Sequence, residues 1–233
     1  MRRRFHPATG ILLILLLGVP RFILVLQANA TRSYQFIPIV FIIMILLPFL
    51  FLNKDERKTI GLKRPTIKIL LPAFMIGVMA CLGSYVLGLF YDHSISNWFV
   101  YIANSYPAIP GLDRFTLFLM VAIPSMIFSP LGEEFFYRGW VHQCFVDRWG
   151  ETRASYIDAL AFAFTHLAHF GIVYTVQGWQ FLPLPALLWT AQMFLVSLLF
   201  TFCRNQSGSL WGAVVCHAGF NVAMSYIIVY KIL

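Results

Sequence analysis

Two adjacent carboxylates and an arginine occupy the segment Glu133-Glu134-Phe-Phe-Tyr-Arg138 of a strongly apolar chain. The sequence has 9 acidic residues among 233, and 60% of its residues are hydrophobic. A charge in apolar surroundings costs several kcal/mol unless partners or a function compensate. Paired acids here therefore indicate acid/base chemistry. Taken alone, the pair fits equally well a solvated helix start with negative charge at the positive end of the helix dipole.

Helical spacing separates the roles of the two acids. In a helix that begins near Gly132, Glu134 and Arg138 are four residues apart and share a face, in the acid-then-base order that favours pairing. Glu133 points about 100° away from Glu134, because each residue advances an α-helix by that angle. We expect Arg138 to neutralise Glu134 and to leave Glu133 free in a different environment, which is a recurrent sign of acid/base work.

Polar side chains recur in two later apolar runs. His166 ends the segment Phe162-Ala-Phe-Thr-His166, where the alternative to catalysis is a helix-packing histidine. His217 and Asn221 are four residues apart on one helix face and can donate two hydrogen bonds to one oxygen, as an oxyanion hole requires. Considered alone, these two residues fit a polar contact between helices. Small residues on this helix allow a neighbouring helix to approach closely: Gly212, Ala213, Ala218 and Gly219.

Taken together, a base, an imidazole and an amide donor lie on three different apolar helices and complement one another. We interpret them as a buried hydrolytic site in which a carboxylate activates water. Asp158 is predicted to face the cytosolic interface, and His169 is predicted to be a packing residue. Because the first three helices contain almost no polar residues, they are expected to be scaffold, with the site in the C-terminal helices.

The composition predicts an all-α, polytopic integral membrane bundle. Mean hydropathy is +0.77 and 11% of the residues are charged. Apolar runs long enough to cross a bilayer indicate about seven transmembrane helices, with six to eight as the range. Scattered cysteines, without a paired framework or metal spacing, are predicted to be small core residues. The runs are roughly 9–29, 34–52, 67–91, 115–131, 155–170, 184–203 and 209–230, and the cysteines are Cys81, Cys144, Cys203 and Cys216.

The distribution of basic residues predicts the orientation. A cytosolic N-terminus puts 13 of the 17 lysines and arginines inside, around 1–7, 53–68 and 132–153 and at Arg204. The formal charge of +8 then reflects topology and anionic lipid headgroups. Nucleic-acid binding is not expected, because the basic residues lie at helix ends. We expect a multi-pass protein of a bacterial cell membrane, with the lipid bilayer and a membrane-associated peptide or protein substrate as partners.

Three motifs in order resemble the CAAX protease and bacteriocin-processing family (CPBP, or Abi), which includes the type II CAAX prenyl endopeptidases. They are Glu-Glu-x-x-x-Arg at 133–138, Phe-x-x-x-His at 162–166 and His-x-x-x-Asn at 217–221. The segments 60–65 and 208–212 are also similar to family features. The resemblance implies N-terminal transmembrane helices and a basic cytosolic loop over 1–66, and a catalytic membrane domain over 67–233 with its core at 115–226.

The resemblance implies an intramembrane endopeptidase of the glutamate type, which hydrolyses a peptide bond of a membrane-associated protein or peptide. In that mechanism Glu133 would be the general base and would polarise a water molecule together with His166. His217 and Asn221 would stabilise the tetrahedral oxyanion. Glu134, held by its arginine, would help to set the geometry and charge of the site.

A metal-dependent version of the protease is the main competing hypothesis, with Zn²⁺ held by Glu133, His166 and His217. The His-Glu-x-x-His helix of the zincins is absent, and Asp158 is the only obvious second-shell acid for His166. We therefore predict that no cofactor is needed. A non-catalytic immunity or scaffold protein is a second competing hypothesis, and a proton-relaying transporter is a third. The chain has no inverted repeat of the kind that many transporters show.

Overall fold

The computed structural model describes residues 3–106 and 111–233, so the predicted basic N-terminal segment is described from Arg3 onward. The described residues form a helical bundle with one short β-hairpin, which confirms the predicted all-α class. The helices are α1 Pro7–Thr31, α2 Ile37–Phe51, α3 Lys54–Thr59, α4 Leu70–Gly88, α5 Trp98–Asn104, α6 Arg114–Glu133, α7 His142–His166, α8 Pro183–Ser207 and α9 Leu210–Ile227. Short 3-10 turns occur at Arg3–Phe5, Ile67–Ile69 and Leu89–Tyr91, and π-helical segments occur at Ile14–Gly18, Glu134–Val141 and Ile228–Ile232.

Five helical stretches of the described chain are long and apolar enough to cross a bilayer. The predicted number of about seven is not confirmed. The apolar helix α2 has only 15 residues, and the predicted runs 115–131 and 155–170 are two arms of one 53-residue helical stretch. The five stretches are Pro7–Thr31, Ile67–Tyr91, Arg114–His166, Pro183–Ser207 and Leu210–Ile232.

The predicted helix start near Gly132 is wrong. Helix α6 begins at Arg114, where the Asp113 side chain caps it by accepting a hydrogen bond of 3.0 Å from the N–H of Thr116. The chain stays helical through both acids, because the π-helical segment Glu134–Val141 joins α6 directly to α7. Such segments are frequent at functional sites.

A glycine, rather than a loop, breaks the long stretch from α6 to α7. Gly150 has φ 77° and ψ 166°, a backbone conformation that glycine alone adopts readily. The predicted cytosolic segment 132–153 is therefore helical on both sides of this bend. Its first part, 132–145, is buried in the protein.

Helix α9 packs against α4, α6 and α8, and glycines allow the closest of these contacts. A Cβ atom on Gly77 of α4 would overlap the carbonyl oxygen of Cys216, and one on Gly219 of α9 would overlap the carbonyl oxygen of Phe74. Gly212 makes a similar approach to α8. These contacts confirm that small residues let the last helix approach its neighbours closely.

A two-stranded antiparallel hairpin, β1 (Ile172–Thr175) and β2 (Gly178–Phe181), connects α7 to α8. The hydroxyl of Tyr101 in α5 accepts a hydrogen bond of 2.9 Å from the N–H of Tyr174 in β1. This bond attaches the hairpin, and with it the chain that follows α7, to α5. All four cysteines are buried with free thiols, as predicted for core residues.

Candidate active site

A cavity of about 400 Å³ lies among α1, α2 and the helices α5 to α9. Its wall is mostly apolar and carries a few polar groups, as is usual for sites that bind a ligand. Three predicted site residues, His166, His217 and Asn221, lie on this wall, and the two acids adjoin it through their partners. Other polar side chains on the wall include Arg21, Ser125, Ser129, His169 and Ser225.

Glu133 is fully buried, and its two carboxylate oxygens have different partners. Oε1 forms an ion pair with Nη2 of Arg21. Oε2 accepts a hydrogen bond of 3.0 Å from the Ser129 hydroxyl and lies 3.7 Å from Nε2 of His217. The prediction that Glu133 is free of a charged partner is wrong, because an arginine of α1 neutralises it.

Glu134 is also fully buried, which excludes a solvated helix start for the acid pair. Its Oε2 lies 3.2 Å from Nε of Arg138, so the predicted pairing is confirmed. Arg138 also donates to the Ser197 hydroxyl and lies 4.1 Å above the ring centroid of Phe162. Contacts on several sides hold this guanidinium in place, and with it the carboxylate of Glu134.

The imidazole of His217 lies between the two acids. Its Nδ1 donates to Oε1 of Glu134 over 2.7 Å, since a carboxylate can only accept. In the neutral ring Nε2 therefore carries a lone pair, on the side of Glu133. The ring stacks on Phe200 with centroids 4.6 Å apart. This fixed imidazole can take a proton at Nε2 and, once protonated, can donate a hydrogen bond there.

His166 and His169 occupy neighbouring positions on the cavity wall, with ring centroids 5.3 Å apart. Nδ1 of His166 donates to the carbonyl oxygen of Phe162 over 2.8 Å, which leaves Nε2 as the acceptor. His169, predicted to be a packing residue, accepts a hydrogen bond of 3.4 Å from Nη2 of Arg21. The same nitrogen of Arg21 pairs with Glu133, so His169 belongs to the polar network of the site.

Asn221 links α9 to α6 through its side-chain amide. Nδ2 donates to the carbonyl oxygen of Ser125 over 2.8 Å. A carboxamide has two N–H hydrogens, so this bond fixes the amide and uses one of them. The second hydrogen is the group that Asn221 can offer to an oxygen in the cavity.

The prediction that Asp158 faces the cytosolic interface is wrong, because its side chain is fully buried. Oδ2 lies 2.7 Å from Nδ1 of His142, and Oδ1 lies 3.8 Å from Nε of Arg138. Nε2 of His142 in turn contacts Oε2 of Glu151, just after the Gly150 bend. An acid inside an apolar run needs hydrogen-bonding or charged partners. The position of Asp158 in the sequence could therefore have predicted that such partners exist.

Arg21 is the site residue that sequence reasoning left out. Its side chain is 1% exposed, and it brings a positive charge from α1 to Glu133. The prediction that the N-terminal helices are only scaffold is therefore wrong. The signal was present in the sequence, because a charged residue inside an apolar helix faces the bundle interior and has a partner there.

The donor set for the alternative zinc site does not fit a metal ion in this arrangement. In the ranges 3–106 and 111–233, no group of three His, Cys, Asp or Glu side chains could hold a metal. Of the candidate ligands, Glu133 already has a cationic partner in Arg21, which competes with a metal ion for its charge. A metal at Oε1 of Glu133 would have to take the place of the guanidinium.

Two tyrosines on the cavity wall, outside the membrane-spanning helices, are neutral groups at physiological pH. Burial raises the pKa of Tyr106 to about 12. Burial also raises the pKa of Tyr34, with a further contribution from the Tyr106 charge. Their rings stack with centroids 6.2 Å apart, and the Tyr34 hydroxyl donates to the side chain of Asn29. They can therefore serve in packing and hydrogen bonding, but not as bases.

Residues 115–223 match the family model described as type II CAAX prenyl endopeptidase Rce1-like. The match contains the three motifs at 133–138, 162–166 and 217–221, so the family resemblance is confirmed over this segment. Comparison of the chain with curated proteins and with solved structures gave no match.

Proposed function

From the match of residues 115–223 to the type II CAAX prenyl endopeptidases, we propose that this protein is a metal-independent intramembrane endopeptidase. It hydrolyses a peptide bond of a membrane-associated protein or peptide. The observation that carries this proposal is the position of His217, with one ring nitrogen bonded to Glu134 and the other towards Glu133. Two acids and one imidazole beside an apolar cavity form the acid/base set that peptide hydrolysis needs.

Glu133 is the general base. Oε2 lies 3.7 Å from Nε2 of His217, within reach of one shared water molecule, and the Ser129 hydroxyl orients this carboxylate. As the water oxygen bonds to the scissile carbonyl carbon, its proton moves to Oε2 and the carbonyl π pair moves to oxygen. His166, with its acceptor Nε2 at the cavity wall, helps to orient the water.

His217 and Asn221 stabilise the tetrahedral intermediate. The amide of Asn221 is fixed by the carbonyl of Ser125. His217 enters the step with a proton on both ring nitrogens and keeps them, so it donates from Nε2 while Glu134 balances its charge at Nδ1. The intermediate collapses when the C–N bond breaks and the leaving nitrogen takes the proton from Glu133. The products are a carboxylic acid and an amine, and the base is regenerated.

The family description adds a prenylated CAAX protein as the first candidate substrate. The cavity wall is mostly apolar, with aromatic and aliphatic side chains from several helices. A lipid-modified peptide would bury its hydrocarbon against such a wall. We therefore propose that a prenyl chain improves substrate binding.

The test compares wild-type protein with Glu133→Gln in proteoliposomes, using a fluorogenic CAAX peptide with and without its prenyl group. Removal of a general base lowers turnover by about 10²–10⁴-fold, and the prenylated peptide should be cleaved at lower concentration. Asp55→Asn is the matched control, because the Asp55 side chain is 81% exposed on α3. Equal cleavage by wild type and Glu133→Gln would overturn the proposal.

If neither probe is cleaved, the natural substrate can be sought by membrane proteomics. Membranes from cells that express Glu133→Gln should accumulate uncleaved precursors that are absent from wild-type cells. Identical proteomes would contradict peptidase activity.

A further inference from the structure

Arg21 has more hydrogen-bonding capacity than its partners use. Its Nη2 contacts both Glu133 and His169, whereas Nε and Nη1 have no partner within the described chain. The side chain is 1% exposed and forms part of the cavity wall. Buried N–H donors without acceptors are costly, so they indicate a ligand with an acceptor oxygen.

The hydrolysis step moves a negative charge over a short distance. Before the reaction the charge is on the carboxylate of Glu133, and after proton transfer it is on the carbonyl oxygen of the substrate. Asn221 is neutral, the charge of a protonated His217 is balanced by Glu134, and Arg138 lies near both Glu134 and Asp158. In the part of the chain that the structure describes, Arg21 is the only lysine or arginine on the cavity wall.

We infer that Arg21 is a further catalytic residue, which pairs with Glu133 before the reaction and with the oxyanion afterwards. This inference rests on the proposed function. As the water proton moves to Oε2, Glu133 becomes neutral and its attraction for the guanidinium falls. One of the two unpartnered groups, Nε or Nη1, then donates a hydrogen bond to the new anionic oxygen. A single cation thus balances the charge in both states, which matters most in an apolar site.

The contact between Arg21 and Glu133 has a second interpretation, in which the arginine locks the base and must move away before catalysis. The two roles predict opposite effects. Loss of an oxyanion donor lowers the turnover number, whereas loss of a lock raises it. Arg21 lies before the matched segment 115–223, so the motif residues give no information about its role.

The kinetic test uses Arg21→Gln, which keeps N–H donors without the charge, and Arg21→Lys, which keeps the charge. We expect kcat to fall about 10²–10³-fold in Arg21→Gln, with partial retention in Arg21→Lys and little change in KM. Arg32→Gln, an exposed position at the end of the same helix, is the matched control and should behave as wild type. An unchanged or increased kcat in Arg21→Gln, while wild type remains active, overturns the inference and leaves the proposed function intact.

A binding test separates charge recognition from folding. In the inactive Glu133→Gln background, the probe is a peptide with a phosphinate at the scissile position, which imitates the anionic tetrahedral intermediate. Adding Arg21→Gln leaves the pair neutral and should weaken phosphinate binding about 10²-fold, with little effect on the uncleaved substrate peptide. Equal phosphinate affinity in the two backgrounds overturns the inference. If wild type neither cleaves nor binds any probe, the proposed function itself fails.

Discussion

Nδ1 of His217 lies 2.7 Å from Oε1 of Glu134, across the contact between α9 and the π-helical segment. The same ring reaches towards Glu133 with its other nitrogen, 3.7 Å from Oε2. Two consecutive acids therefore act on opposite sides of one imidazole. Glu134 fixes the ring through Nδ1, and Glu133 is the acid that we propose as the base.

The close contact between α4 and α9 should be essential for activity. Gly77→Ala forces a Cβ atom into the carbonyl oxygen of Cys216, next to His217, and backbone cannot move aside as a side chain can. We expect a loss of about 1–3 kcal/mol of stability, with reduced cleavage. Thermal unfolding in detergent and peptide turnover measure the two effects. Gly83→Ala, on the same helix with open space around it, should lower neither.

Asn221→Ala should reduce catalysis more than stability. Removal of one oxyanion-hole donor costs about 10²–10³-fold in kcat. The lost bond to the carbonyl of Ser125 should lower stability by about 1 kcal/mol. Asn205→Ala, at an exposed position of α8, controls for loss of an amide. A variant of Asn221 with normal kcat and raised KM would assign the amide to substrate binding instead.

Arg138→Ala should be among the most destabilising single changes in the protein. It leaves Glu134 buried without its cation and removes the positive charge near Asp158. Breaking a buried ion pair from one side costs about 3–5 kcal/mol. The melting temperature in detergent should fall accordingly, whereas Arg153→Ala, at an exposed position of α7, should leave it unchanged. Equal melting temperatures would show that the buried acids find other partners.

Activity should persist after metal removal. Arg21 already provides a positive charge at Glu133, so the proposed mechanism needs no Lewis acid. Purified protein treated exhaustively with a chelator should keep its full rate, with no stoichiometric metal by elemental analysis. Activity that is lost on chelation and restored by Zn²⁺ alone would instead support the metal-dependent hypothesis.

The parts of the site that depend on local spacing could be predicted from the sequence. Glu134 and Arg138 meet because residues four apart share a helix face, and the glycines of α9 predicted its close packing. His217 could be recognised as a site residue because it lies in an apolar helix, where such a group needs a function or a partner.

The remaining contacts depend on how distant elements pack, which local periodicity does not report. Nothing in the sequence near Arg21 identifies Glu133 as its partner, although the buried charge predicts that a partner exists. The burial of Asp158 likewise follows from its contacts with His142 and Arg138, which come from an earlier part of the same bent helix. Negative charge is common at the start of a helix, so the two acids favoured a predicted helix start. The chain instead stays helical there through the π-helical segment.

The contribution of α1 to the site sets a limit on how this chain can be divided or compared. A fragment cut to residues 115–223 would keep every motif side chain and still lack the guanidinium beside Glu133. Grafting α1 from a relative without an arginine at this position would change the electrostatics of Glu133 without altering any motif. A sequence change in the first helix could thus alter the rate of the proposed reaction among relatives whose signature residues are identical.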